Sequence, residues 1–124
     1  MPGKRVLSIG QCGADHGAIA HTLHRHFAAE VVPAEDWDEA LPYLRREPFD
    51  LVLVNRLLDV NGSAGLKIVT DLKADEALRK LPVMLVSNLD DAQEEAIQAG
   101  ALKGFGKASL GQPAMLERLR RILE

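Results

Sequence analysis

The chain has 124 residues, 47% apolar and 27% charged, with a net charge of −3 and a single cysteine, Cys12. That size and balance suit one folded domain, residues 1–124, with a core that needs neither disulfides nor metal. They exclude an internal disulfide framework and a bilayer-spanning run, give no electrostatic case for nucleic acid or an anionic membrane, and with an opening (MPGKRVLSIG) too short in its apolar part for a secretory leader predict a cytoplasmic protein.

The first strand is predicted over Arg5–Ile9. The glycines of Gly10-Gln11-Cys12-Gly13 break it. Asp15 is an N-terminal helix signal, and Ile19, Leu23 and Phe27 recur at helical spacing, so a helix is predicted from about Asp15 to Ala28. Glu30 to Pro33 forms a short second strand. The next helix, Asp36 to Arg46, carries Trp37, Ala40, Leu41 and Leu44 on its apolar stripe, and Pro42 within it is expected to shorten or kink it. Phe49 to Asn55 (FDLVLVN) contains the third strand, Leu51–Val54. Its unbroken apolar run suits a strand covered on both faces.

A long loop follows, Arg56 to Ala64, with Asp59, Asn61, Gly62 and Ser63 as turn residues. Leu66–Lys73 is the third helix and Pro82–Val86 the fourth strand. Asp90–Ala99 is the fourth helix, its acids Asp90, Asp91, Glu94 and Glu95 gathered toward the positive end of the dipole, with Gly100 as its stop. A weak fifth strand lies within Ala101–Gly106, and a last helix starts at Pro113. Five βα units in succession predict a doubly wound α/β domain of flavodoxin-like strand order 2-1-3-4-5, with five helices.

In such a sheet, chemistry collects beyond the carboxyl ends of the strands. The residues delivered there are Gly10 and Gln11, Asn55, Ser87 and Asn88, and Lys107. With KRVLSIG, FDLVLVN, PVMLVSN and above all GALKGFGKAS, where Gly100-Ala101 precedes Lys107 at a characteristic spacing, the whole chain resembles the receiver domains of two-component response regulators.

The resemblance implies a site, and the chain departs from it. Receivers carry an acidic pair after the first strand that holds magnesium; here Gly10 and Gln11 stand there. They end the third strand with a phosphoacceptor aspartate; here it is Asn55. The hydroxyl and the lysine that meet the phosphoryl group are kept as Ser87 and Lys107. The aromatic switch position is Gly104, with Phe105 beside it, and Ala108 stands where a proline usually follows the lysine. Phosphoryl transfer to a carboxylate needs an anionic oxygen and a divalent cation. A glycine and two neutral amides supply neither, so the expectation is a pseudo-receiver without magnesium or other cofactor, unphosphorylated at the usual position. A hydrogen bond from Lys107 to the Asn55 amide oxygen would then replace the usual pair.

The resemblance also implies a protein partner, a histidine kinase or separate output protein, met on the fourth helix, fifth strand and last helix. Asp91, Glu94, Glu95, Phe105, Arg118 and Arg121 are the expected partner surface, with a homodimer exchanging these charges as one form of it. The chain ends after its last helix, so no output domain is expected within it. The rival reading is a small-ligand or anion sensor on the same edge, in which Gly10–Gly13 helps cradle an anion. An enzyme reading finds no base and nucleophile pair.

Other candidates favour plainer roles. Asp59 reads as a turn residue before it reads as a substitute acceptor, and Asp15 as a helix-start carboxylate before it reads as a group reaching into the site. His16, His21, His24 and His26 share a helix, but helical rotation scatters them and no cysteine or carboxylate joins at ligand spacing. Cys12 reads as a packed thiol.

Overall fold

The computed structural model describes residues 3–124; Met1 and Pro2, at the start of the stretch read for a leader, lie outside them. The elements run β1 (Arg5–Ile9), α1 (Gly13–Phe27), β2 (Glu30–Ala34), α2 (Trp37–Arg46), β3 (Leu51–Asn55), α3 (Leu66–Ala74), β4 (Val83–Val86), α4 (Asp90–Gln98), β5 (Leu102–Phe105) and α5 (Pro113–Leu123). All strand pairs are parallel, in the order β2-β1-β3-β4-β5. The predicted doubly wound fold is the observed one.

Alternation along the strands builds two cores. Leu7, Ile9, Val52, Val54 and Leu85 face α2, α3 and α4. Val6, Leu51, Leu53, Met84, Val86 and Phe105 face α1 and α5. The central strand β3 is therefore buried on both sides from Leu51 to Val54, which is why it reads as an unbroken apolar run. No helix is long and apolar enough to cross a membrane.

Several boundaries differ from the sequence reading for local reasons. α1 starts at Gly13, because Cys12 takes the N-cap position and its Sγ accepts from Asp15 N at 3.5 Å. The helix stops at Phe27 with Ala28 in the left-handed region, φ 54°. Pro42 neither shortens nor ends α2: the helix continues to Arg46, with Asp36 accepting from Glu39 N as its cap. Lys107 does not extend β5 but opens a 3₁₀ turn, Lys107–Ser109.

The β4–β5 ladder shifts register between Met84 and Val86, so β5 holds one residue more than β4 across it. The bulge falls at Lys103 and Gly104. A Cβ on Gly104 would stand 2.1 Å from Leu85 O, so only glycine lets the two strands close here.

Candidate functional site

Register decides which residues share the carboxyl edge. Ile9 pairs with Val54, Asn55 with Val86, and Val86 with Phe105. The chain therefore delivers Gly10, Asn55, Ser87 and Lys107 side by side, just past the last paired residues. The edge is tied by backbone bonds: Gly10 N donates to Ala34 O at 2.8 Å, Ser87 N to Phe105 O at 2.9 Å, and Asp59 N to Gly10 O at 2.9 Å.

Asn55 is oriented by that frame. Its Nδ2 donates to Gly10 O at 3.1 Å, across from β3 to the end of β1. Lys107 does not reach the Asn55 amide as the sequence reading expected. It forms an ion pair with Asp15, whose carboxylate extends over the edge from the first turn of α1. The cause is electrostatic: the amide has no net charge to hold an ammonium, and a carboxylate stands within reach. Lys107 first, and the Cys12 contact second, hold the Asp15 carboxyl below the usual carboxylate range. Asp15 thus combines its helix-start place with a role in the site.

Ser87 Oγ accepts from Leu89 N at 3.1 Å and so starts the turn into α4. Asn88 Oδ1 accepts from Ala108 N at 3.1 Å and lies where a Cβ on Gly106 would fall, 1.7 Å away. Together with Asn55, Arg56 and Lys107 these residues line a cleft of about 390 Å³. Two cations and several amide and hydroxyl groups line it, with no carboxylate among the lining residues.

The donor set does not fit magnesium. The ion requires hard oxygen ligands in octahedral array, carboxylates among them. Gly10 has no side chain, and its backbone, at φ +81°, admits none easily: a Cβ would come within 2.3 Å of Leu58 Cδ2. Gln11 is a neutral amide whose two polar atoms are buried without partners among the described residues. Asn55 is turned toward Gly10 O, and Asp15 is paired with Lys107. Asp59 lines a cavity separate from the Asn55–Lys107 cleft, together with Gly10, Gln11, His16, Glu35 and Glu39. Among the described residues no group of three His, Cys, Asp or Glu side chains is placed to hold a metal ion.

The expected partner surface is only partly a surface. Phe105 is 3% exposed and packs with Met84, Val86 and Met115, because the bulge at Lys103 and Gly104 brings it opposite Val86 and so into the α1–α5 core; its assignment to the surface is corrected. Arg118 is half-buried, and its Nη1 donates to Gly104 O at 2.8 Å. Arg121, Asp91, Glu94 and Glu95 are exposed.

Sequence reasoning missed Gln93. It is 8% exposed, on the inner face of α4 one turn before Ala96. Its Nε2 donates to Leu85 O at 2.9 Å and Ser87 O at 3.1 Å, and its Oε1 accepts from Gly104 N at 2.9 Å. Gln93 and Arg118 thus hold both backbone polar groups of Gly104, the expected switch position. The available signal was a polar residue on the stripe that Ala92 and Ala96 mark as core-facing.

No protein-family model matches the chain. Chemotaxis protein CheY-3 of Vibrio cholerae serotype O1 is 30% identical over 93 residues, covering 73% of this chain and 69% of that protein. Chemotaxis protein CheY of Pseudomonas aeruginosa is 25% identical over 122 residues, 97% of this chain and 96% of the relative. Among solved structures, the signal receiver domain of a DNA-binding response regulator from Colwellia psychrerythraea superposes with a TM-score of 0.79 at 21% identity, covering 95% of this chain and 96% of that one. The receiver domain of a sensor histidine kinase of Pseudomonas aeruginosa, solved with magnesium coordinated in its active-site cleft, gives 0.70 at 24% identity, covering 98% and 95%.

Proposed function

The chain belongs to the receiver domains of response regulators, and on that premise we propose that it signals without phosphorylation at the end of β3, through contact with a protein partner. The observation that carries this reading is the state of Asn55. A neutral amide stands where receivers carry the acceptor carboxylate, and its nitrogen is bonded to Gly10 O. Gly10 and Gln11 bring no acid to the cation position, and Lys107 is held by Asp15.

The test is incubation with a small phosphodonor and magnesium, followed by intact mass. The expected spectrum shows the unmodified chain alone. A stoichiometric gain of one phosphoryl group overturns the reading.

The partner surface follows the same logic. Ile97 and Leu102, each nearly half exposed, add apolar area beside Glu94 on the α4–β5 face, with Arg121 exposed on α5. A homodimer through this face is the proposed assembly, acids of one copy facing Arg121 of the other, with the charges orienting more than they stabilise. Sedimentation velocity checks it: a dimer that Ile97→Ser or Leu102→Ser dissociates is expected, and a monomer at high concentration refutes it.

A further inference from the structure

A second groove lies between the β3–α3 loop and α4, beside the edge cleft, with Arg56 on the wall between them. It encloses about 250 Å³ over Leu66, Leu85 and Ala92, with Leu57 and Leu89 at its sides. Leu57 is 43% exposed and Leu89 52%. Single exposed leucines are ordinary, but two flanking an apolar floor form a continuous patch of the kind that marks a protein contact.

The α4 side of this groove is acidic. The helix carries Asp90, Asp91, Glu94 and Glu95 and no lysine or arginine. The described residues hold seven ion-pair contacts, and none involves these four. The dipole accounts for Asp90 and Asp91 in the first turn, but its effect fades beyond that turn and leaves Glu95 unexplained. Asp91 and Glu95, at i and i+4, line the groove, whereas Asp90 lies on the opposite side near Lys103 and Arg118.

We propose that this groove docks an amphipathic helix of a separate protein, with aliphatic side chains on Leu57, Leu66, Leu89 and Ala92 and lysine or arginine side chains against Asp91 and Glu95. Apolar burial supplies the affinity and the carboxylates choose and orient the partner. A helix suits the place, since β4 beneath it is paired on both sides and offers no edge to an added strand. Arg56, Leu57 and Leu89 also line the Ser87–Lys107 cleft, so the docked helix sits against that cleft's wall. The proposal goes beyond the reading of Asn55 and holds whether or not the chain accepts a phosphoryl group.

The experiment titrates the ¹⁵N-labelled full chain with two synthetic peptides of equal length, one of leucine and lysine at helical amphipathic spacing, the other with glutamate in place of lysine. Amide shifts map the contact, and spectral dispersion reports whether each variant is folded. The lysine peptide is expected to give saturable shifts centred on Leu57, Leu66 and Leu89 to Glu95, weakened by salt, and the glutamate peptide none. Leu89→Ser should weaken binding about ten-fold. Asp91→Lys with Glu95→Lys should reverse the peptide preference, and Asp90→Lys should leave it unchanged. The proposal is overturned by no saturable binding, by shifts centred on Ile97 and Leu102, by a preference that survives the charge reversal, or by concentration-dependent groove shifts without peptide, which would make a second copy the occupant.

Discussion

Lys107, opening the turn after β5, and Asp15, in the first turn of α1, meet in an ion pair across the carboxyl edge of the sheet. The contact joins the first helix to the turn after the last strand. It also gives the retained lysine an internal counter-charge, which Arg56 on the same cleft does not have among the described residues.

The ion pair predicts a pH dependence. Asp15 is held below the usual carboxylate range by Lys107 first and Cys12 second. A carboxylate of lowered folded pKa binds protons less readily when folded than when unfolded. Its contribution is therefore complete above the unfolded value, about 3.9, and is lost as pH falls through the folded value. Denaturant titrations of the wild type and Asp15→Asn should differ by under about 1 kcal/mol near neutral pH, the pair being partly exposed, and converge in acid. A difference that stays constant with pH rejects the assignment.

Gln93 predicts a larger effect. Replacing it with leucine keeps the volume roughly but removes both donors to Leu85 O and Ser87 O and the acceptor for Gly104 N. Buried groups left without partners cost about 1–3 kcal/mol each, so Gln93→Leu should lower unfolding free energy by roughly 2–3 kcal/mol after the gain from added apolar burial. Amide exchange at Gly104 should rise before global unfolding. An unchanged urea midpoint would reject the role.

Gly10 predicts that the acidic pair cannot be restored at little cost. The backbone there is left-handed, and Leu58, 4% exposed, occupies the space a Cβ needs. Gly10→Ala should destabilise by roughly 1–3 kcal/mol. Part of that cost should vanish in a Leu58→Ala background, a coupling a double-mutant cycle measures. Additive effects would place the strain elsewhere.

Much of the fold was legible because its signals are local. The FDLVLVN run, the glycines after β1, Gly100 after α4 and the alternation of strand and helix patterns depend on neighbours in sequence. Pro42 did not shorten α2 because its cost falls on one carbonyl and one missing donor, and the flanking Ala40 and Leu44, both buried, hold the helix against the sheet regardless. Phe105 misled because its inward turn depends on a bulge against β4, which β5 alone does not announce.

The candidate site divides the same way. Which residues reach the carboxyl edge was determined by the sequence, since strand ends and parallel order follow from the pattern of βα units. What those residues touch was decided only by the tertiary structure. Asn55 turns to Gly10 O, Lys107 to Asp15, and Gln93 and Arg118 to Gly104. Each bond joins different elements of the fold, and a polar side chain among several possible partners takes the one that packing brings within reach.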